Sequence, residues 1–349
     1  MTALDNSVLK FKLKKAQLIL GFFIIIGFIA CTQNHKEIVI DGLTMGTSYT
    51  IKIVSHDSQI NVDNLSYLID SVLVKINNQM STYIDNSEIN RFNQYTGTNP
   101  FQLSPEFYHV VERAFYWTEV TNGAFDIAIL PLVSVWGFGP KGRKSIPSEK
   151  DVKTAMNQTG YDQLTLHLST LQKNNPKVQL DLNAIAKGYG VDALSLLLSN
   201  SGFNSFMVEI GGEVYCSGLN KNGNVWSIGI ESPSQEEPNL LETISLRNSA
   251  IASSGDYRNY YSTPSGNISH IMDPRTGQSV SKIAATTVMA RNCMDADALA
   301  TALMVMESKE GLNLIEKLTG IEAMIVIRGE KGELKKMYSS GFMKASLLP

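Results

Sequence analysis

The chain predicts an α+β fold: a single large unit in which helices pack on mixed or antiparallel sheets. Strand-like alternation and helix-like spacing come in runs, whereas a doubly wound sheet requires strict alternation of the two. Candidate strands are joined by short Gly-containing turns, which suit antiparallel neighbours. With 349 residues, 43% hydrophobic and 18% charged, the chain can bury a sizeable core.

Lys10, Lys12, Lys14 and Lys15 outweigh Asp5 in the first 30 residues and precede an uncharged apolar run at 18–30. Thirteen residues suit the core of an export signal, whereas a spanning helix needs about 20. Cys31 follows the small Ala30, and the chain then turns polar through Thr32, Gln33, Asn34, His35 and Lys36. The junction resembles a bacterial lipoprotein processing site, with Phe28 where that pattern usually has Leu. The expected organisation is a lipoprotein signal peptide over 1–30, a tether lipidated at Cys31 over 31–36, and one domain over 37–349. The protein is then exported and anchored by lipid to the cell membrane, facing the periplasm. The alternative is a cleaved signal or an uncleaved anchor with an incidental Cys.

The formal net charge is −3; the leader carries +3, which leaves −6 on the rest. That balance argues against nucleic acid as a partner. Cys216 and Cys293 both sit in apolar segments, where two buried free thiols are favoured over a disulfide. No Cys/His spacing suits zinc.

Strands are expected at 38–40 and 47–54 around a turn at 42–46. Val62, Leu65, Leu68, Ile69, Val72 and Ile76 then follow helical spacing. A second helix starts at Ser104-Pro105-Glu106 and stops near Gly123; a third runs from Ser148 to about Gly160. Residues 141–150, basic and without periodicity, read as an exposed loop. Strands at 163–168 and 178–182 precede a helix at 184–198. Strands follow at 206–210, 213–217, 225–230 and 243–252, then helices at 294–307 and 312–318. A hairpin of 323–328 with 334–338 closes the chain.

The stretch from Ser269 to Gly277 gathers His270, Asp273, Arg275 and Thr276 in nine residues. Loops that concentrate such groups tend to carry chemistry. His270 near Asp273 and Arg275 is a candidate base, although an isolated His is often structural. Asp297 and Thr301 stand at i and i+4, one helical face, and their oxygens suit Mg²⁺ or Ca²⁺. Lys187, in the segment Asp181–Tyr189, enters a strand-to-helix junction where helix amides favour an anion. Phe125 and Asp126 pair an aromatic ring with an acceptor, suited to a flat ligand, or else mark a helix stop. Gly211 and Gly212 read as a bulge or a close approach to a ligand. Arg258 is a phosphate contact or the structural partner of Asp256.

These blocks, in this order, resemble the ApbE family of flavin transferases, over roughly residues 42–306. The resemblance rests on Met45-Gly-Thr47, Gly123-Ala-Phe-Asp126, Asp181 to Tyr189, Glu209 to Glu213, Ser254 to Asn259, His270 to Gly277 and Ala296 to Thr301. It implies a T-fold-related architecture and FAD contacts at Met45, Ala124, Phe125, Asp126, Asp181 and Lys187, with Arg258 beside them. It implies a Mg²⁺ site made by the main-chain carbonyl of Ala184 with Asp297 and Thr301. Asn183-Ala184 and Leu130 depart from the usual small residues without removing a ligand.

The implied chemistry is Mg²⁺-dependent transfer of FMN from FAD to a Thr or Ser hydroxyl of an acceptor protein, releasing AMP. His270 is the expected base, with Asp273 orienting it or replacing it, and Arg275 stabilises phosphate charge or braces the loop. The resemblance points to acceptors that are exported subunits of membrane redox complexes, such as a sodium-pumping quinone reductase. Two alternatives stay open at this point: hydrolysis of FAD to FMN and AMP, and FAD binding without catalysis.

Overall fold

A hairpin opens the fold. β1 (Lys36–Thr44) pairs with β2 (Thr47–Ser55) across a two-residue turn at Met45 and Gly46, with φ of 50° and 74°. Positive φ at both positions matches the twist of the strands it joins. The computed structural model describes residues 36–55, 60–140, 142, 146–233, 240–257, 259–263, 266–329 and 333–343. The leader, Cys31, Arg258, Lys141 and residues 143–145 lie outside the described residues.

α1 (Val62–Met80) buries Leu65, Ile69, Leu73 and Ile76, and Asn61 caps it. α2 (Glu88–Gln94) is capped by Ser87, whose hydroxyl accepts from the Asn90 amide at 3.2 Å. After β3 (Phe101–Gln102), α3 (Pro105–Val120) begins at Pro105, but Ser104 makes no cap bond; its hydroxyl donates to Glu88 at 2.6 Å. The short α4 (Leu130–Val135) has no counterpart in the sequence reading. α5 (Glu149–Met156) starts at a capping box of Ser148 and Asp151. β4 (Leu164–His167) and β5 (Thr170–Lys173) form a hairpin that β3 joins.

The strand expected at 178–182 makes no ladder. Its apolar residues Val178, Leu180 and Leu182 alternate and are buried, with buried Asp181 between the last two. However, the Leu180 amide donates to the Asn93 side chain at 2.7 Å, and that side chain donates back to the Leu180 carbonyl at 2.9 Å. A side-chain amide stands where a neighbouring strand would.

α6 (Ala186–Asn200) leads to β6 (Phe206–Ile210) and β7 (Glu213–Ser217). β8 (Trp226–Glu231) pairs with β9 (Leu240–Leu246), and β10 (Ser249–Gly255) follows. The single strand expected at 243–252 is therefore two, divided where Asn248 adopts φ 52°. β11 (Tyr260–Thr263), β12 (Gly266–Ser269) and β13 (Ile283–Ala290) precede α7 (Cys293–Val305). α8 (Ser308–Ile315) begins earlier than its apolar spacing suggests, because Glu307 caps it. β14 (Glu322–Arg328) and β15 (Leu334–Tyr338) form the closing hairpin.

Eight strands make one sheet in the order β1-β2-β6-β7-β10-β13-β14-β15. Its pairings are all antiparallel. The α+β expectation holds, with the antiparallel alternative realised. Ile51, Ile53, Phe206 and Val208 face α1 and α6, while Val54, Met207, Val214 and Met324 face the β8–β9 hairpin. Cys216 and Cys293 are buried free thiols. Among the described residues no helix is long and apolar enough to cross a membrane.

α7 positions the site. All its residues except Thr301 are buried; most are small or apolar, and the buried Asp295 and Asp297 are held by partners of their own. Its first turn is held by Asp192 of α6, whose carboxylate accepts from the Cys293 and Met294 amides at 2.7 and 2.9 Å. Asp295 anchors it to α3 through Arg113 and Trp117. At Gly188 the two helices touch: a β-carbon there would collide with the Cys293 carbonyl.

Candidate active site

A cavity of about 300 Å³ opens where α6, α7, β7 and β10 meet the loops at 124–129, 181–184 and 270–274. It brings together Ala124, Phe125, Asp126, Asp181 and Ala184 from the expected set. Lys187, His270, Asp297 and Thr301 line it as well.

The loop residues are fixed by their own backbones. Asp126 accepts from the Ala128 amide at 2.7 Å through one oxygen and from the Tyr161 amide at 2.9 Å through the other. Burial raises its pKa to about 6 against the pull of those amides. Asp181 accepts from the Asn183 amide at 2.8 Å, and burial raises its pKa also.

The charged centre lies between α6 and α7. Lys187 Nζ is 3.1 Å from Glu213 Oε1 and 3.7 Å from Asp297 Oδ1. Asp297 Oδ2 accepts from the Gly188 amide at 2.9 Å. Burial opposes the Lys187 charge, but Asp297 and Glu213 outweigh it and hold the ammonium above its ordinary range. Thr301 Oγ1 is 3.2 Å from Ser254 Oγ.

His270 sits against a carbonyl. Its Nδ1 lies 2.9 Å from the Asn259 carbonyl oxygen, which also accepts the His270 backbone amide at 3.0 Å. Burial lowers the pKa of the ring. The neutral tautomer therefore carries its proton on Nδ1 and its lone pair on Nε2.

Asp273 does not orient that ring. Its carboxylate accepts from Arg275 Nε at 2.9 Å and Nη2 at 3.1 Å, and from the Arg275 amide at 2.9 Å. The pair braces the turn at 273–277, and the Arg275 stem lies over Gly123. Neither Asp273 nor Arg275 lines the cavity; Pro274 between them does. Met45 also stands apart, in the β1–β2 turn beside Gly190 of α6. Asp256 is paired bidentately with Arg328, at 2.6 and 2.9 Å, while Arg258, expected as a phosphate contact or as the partner of Asp256, is outside the described residues.

Glu213, Asn259, Tyr83 and Ser254 also line the cavity, and the sequence reading assigned none of them a role. Glu213 was within sight, since it closes the Gly-Gly turn. Asn259 acts through its main chain, which leaves no signature in residue type.

The donors fit a hard divalent cation. Asp297 with its carboxylate, Thr301 with its hydroxyl and Ala184, whose main-chain carbonyl is its oxygen, line the same cavity. Two carboxylates face one ammonium there, and buried Glu213 Oε2 has no hydrogen-bond partner.

One lysine, a carboxylate–hydroxyl pair on a buried helix and a neutral histidine on one cavity are groups of the kind that phosphoryl transfer uses. The chain belongs to the ApbE family, whose pattern it matches over residues 45–325. It is 39% identical over 314 residues to the FAD:protein FMN transferase of Vibrio cholerae, spanning 89% of this chain and 93% of that protein. The FAD:protein FMN transferase of Haemophilus influenzae is 37% identical over 324 residues, 90% of this chain and 93% of its own. Among solved structures, the flavin transferase ApbE from Vibrio cholerae superposes with a TM-score of 0.82 at 38% identity, covering 89% of this chain and 99% of that one. The apo flavinyl transferase ApbE of Pseudomonas stutzeri gives 0.79 at 32% identity, covering 90% and 98%.

Proposed function

We propose that this chain is an FAD:protein FMN transferase that attaches FMN through a phosphoester to a Thr or Ser hydroxyl of an exported acceptor, with Mg²⁺ required and AMP released. The observation that carries this reading is the convergence of Lys187, Asp297, Thr301 and His270 on one cavity, in a chain of the ApbE family.

The acceptor hydroxyl attacks the flavin-side phosphorus of FAD, and its proton passes to Nε2 of His270. The new phosphorus–oxygen bond replaces the one to the AMP phosphate, which leaves with the electron pair of the broken bond. Asn259 holds the ring in the required tautomer. Lys187 offsets pyrophosphate charge, and Phe125 supplies an apolar wall for the flavin. Asp297, Thr301 and the Ala184 carbonyl would hold Mg²⁺, which supplies charge neutralisation on the pyrophosphate oxygens when bound.

The leader, with tethering at Cys31, makes the acceptor an exported protein, and the family resemblance makes it a subunit of a membrane redox complex. The test is a denaturing gel of a candidate acceptor incubated with the chain, FAD and Mg²⁺. Flavin fluorescence that migrates with the acceptor supports transfer. Fluorescence confined to the dye front, with AMP formed, supports hydrolysis in its place.

A further inference from the structure

The cavity holds a carboxylate that the reaction above does not use. Glu213 is the first residue of β7 and is 2% exposed. Its place is fixed by the turn before it, where Gly211 and Gly212 adopt φ of 61° and 104°. The Glu209 side chain braces that turn by accepting from the Gly212 amide at 2.7 Å. A side chain on Gly211 would crowd Thr47 of the neighbouring strand, so the turn tolerates little change. One Glu213 oxygen meets the Lys187 ammonium at 3.1 Å; the other is buried without a partner. A half-satisfied buried carboxylate calls for an explanation.

The explanation lies in what surrounds Lys187. Among the described residues it is the only Lys or Arg lining the cavity. Its second anion, Asp297, stands further off at 3.7 Å and already accepts the Gly188 amide through its other oxygen. In the proposed reaction that same carboxylate serves a divalent cation, which repels a neighbouring ammonium. Glu213 is then the group left to hold Lys187 in the cavity.

We infer that Glu213 is a positioning residue, which keeps the Lys187 ammonium directed at the pyrophosphate of FAD while Asp297 serves the metal. The inference rests on the reading of the cavity as an FAD site. It makes a prediction opposite in sign to simple repulsion. A carboxylate acting only through its field opposes an anionic ligand, so its removal tightens binding. A carboxylate that sets the place of the one ammonium favours the ligand, so its removal loosens binding.

The experiment is equilibrium binding of FAD to the full chain at saturating Mg²⁺, with riboflavin, which carries no phosphate, as the second ligand. Glu213→Gln is expected to weaken FAD binding about tenfold and to leave riboflavin binding unchanged. In a Lys187→Met chain the same replacement is expected to change FAD affinity less than about twofold, since the two residues act as a unit. Unchanged or tighter FAD binding in Glu213→Gln overturns the inference. So does an equal loss for both ligands, or a full tenfold loss in the Lys187→Met chain. Should Glu213→Gln fail to fold, Glu213→Asp, which draws the charge back by one methylene, takes its place with the same expectations. A parent chain that binds no FAD overturns the functional reading itself, a separate outcome.

Discussion

The Nδ1 of His270 lies 2.9 Å from the main-chain carbonyl oxygen of Asn259. A carbonyl only accepts, so the ring proton belongs on Nδ1 and the basic lone pair on Nε2. Burial moves the ring pKa below the ordinary 6.5. The neutral form is therefore present near pH 7 and is lost as pH falls through that lowered value. The acidic limb of kcat is expected below pH 6.5, and His270→Ala is expected to lower kcat by about a hundredfold or more. FAD affinity should stay within about threefold, because the ring's main work comes in the transition state. A pH–rate profile with no acidic limb, or loss of FAD binding alone, counts against the base.

Asp297→Asn keeps an oxygen for the Gly188 amide and removes the charge that a divalent cation needs. The variant should fold with a Tm close to the parent's, while Mg²⁺-stimulated turnover falls by about a hundredfold or more. A magnesium titration of both proteins checks it, and equal stimulation by the metal would refute the ligand assignment.

Gly188 is constrained twice. Its amide donates to Asp297, and a β-carbon would meet the Cys293 carbonyl and the Met294 Cα. Gly188→Ala must push α6 from α7 and is expected to cost about 1–3 kcal/mol in urea unfolding. Unaltered stability would mean that the helix contact is looser than described.

Asp295 does different work from Asp297 on the same helix. It stands two residues before Asp297, and its oxygens accept from Arg113 at 2.5 and 2.8 Å, Trp117 at 2.7 Å and Asn292 at 2.7 Å. Its role is to dock α7 on α3. Asp295→Ala strands the buried Trp117 N–H, while the partly exposed Arg113 regains water. The expected loss is about 2–3 kcal/mol, read by urea unfolding, with Mg²⁺ dependence of the folded fraction retained.

Much of the architecture was legible because β1, β2 and β6 each bury alternate residues on the helix-facing side, and β7 buries Val214 and Cys216 against the β8–β9 hairpin. β13 was not: all eight of its residues are buried, so no alternation marks it, and its alanines and threonines resemble helix or loop. The segment at 178–182 failed for the opposite reason. Its alternation is real, but Asn93 satisfies the backbone that a strand would. At the site, i,i+4 spacing placed Asp297 and Thr301 on one helix, and the cavity collects both. Asp273 looked like a partner for His270 because it is three residues away in sequence. The turn instead hands its carboxylate to Arg275.

We propose that export and anchoring depend on Cys31. Cys31→Ser is expected to leave an unprocessed precursor or to release the body from the membrane fraction. Normal processing and retention of the variant would contradict lipidation.

The most direct measurement is the intact mass of a purified acceptor protein after incubation with the chain, FAD and Mg²⁺, followed by peptide mapping. The account predicts a gain of one FMN less water on a Thr or Ser, absent without Mg²⁺ and absent with Asp297→Asn. An acceptor of unchanged mass beside FMN and AMP in solution would contradict protein transfer, and FAD recovered intact would contradict catalysis altogether.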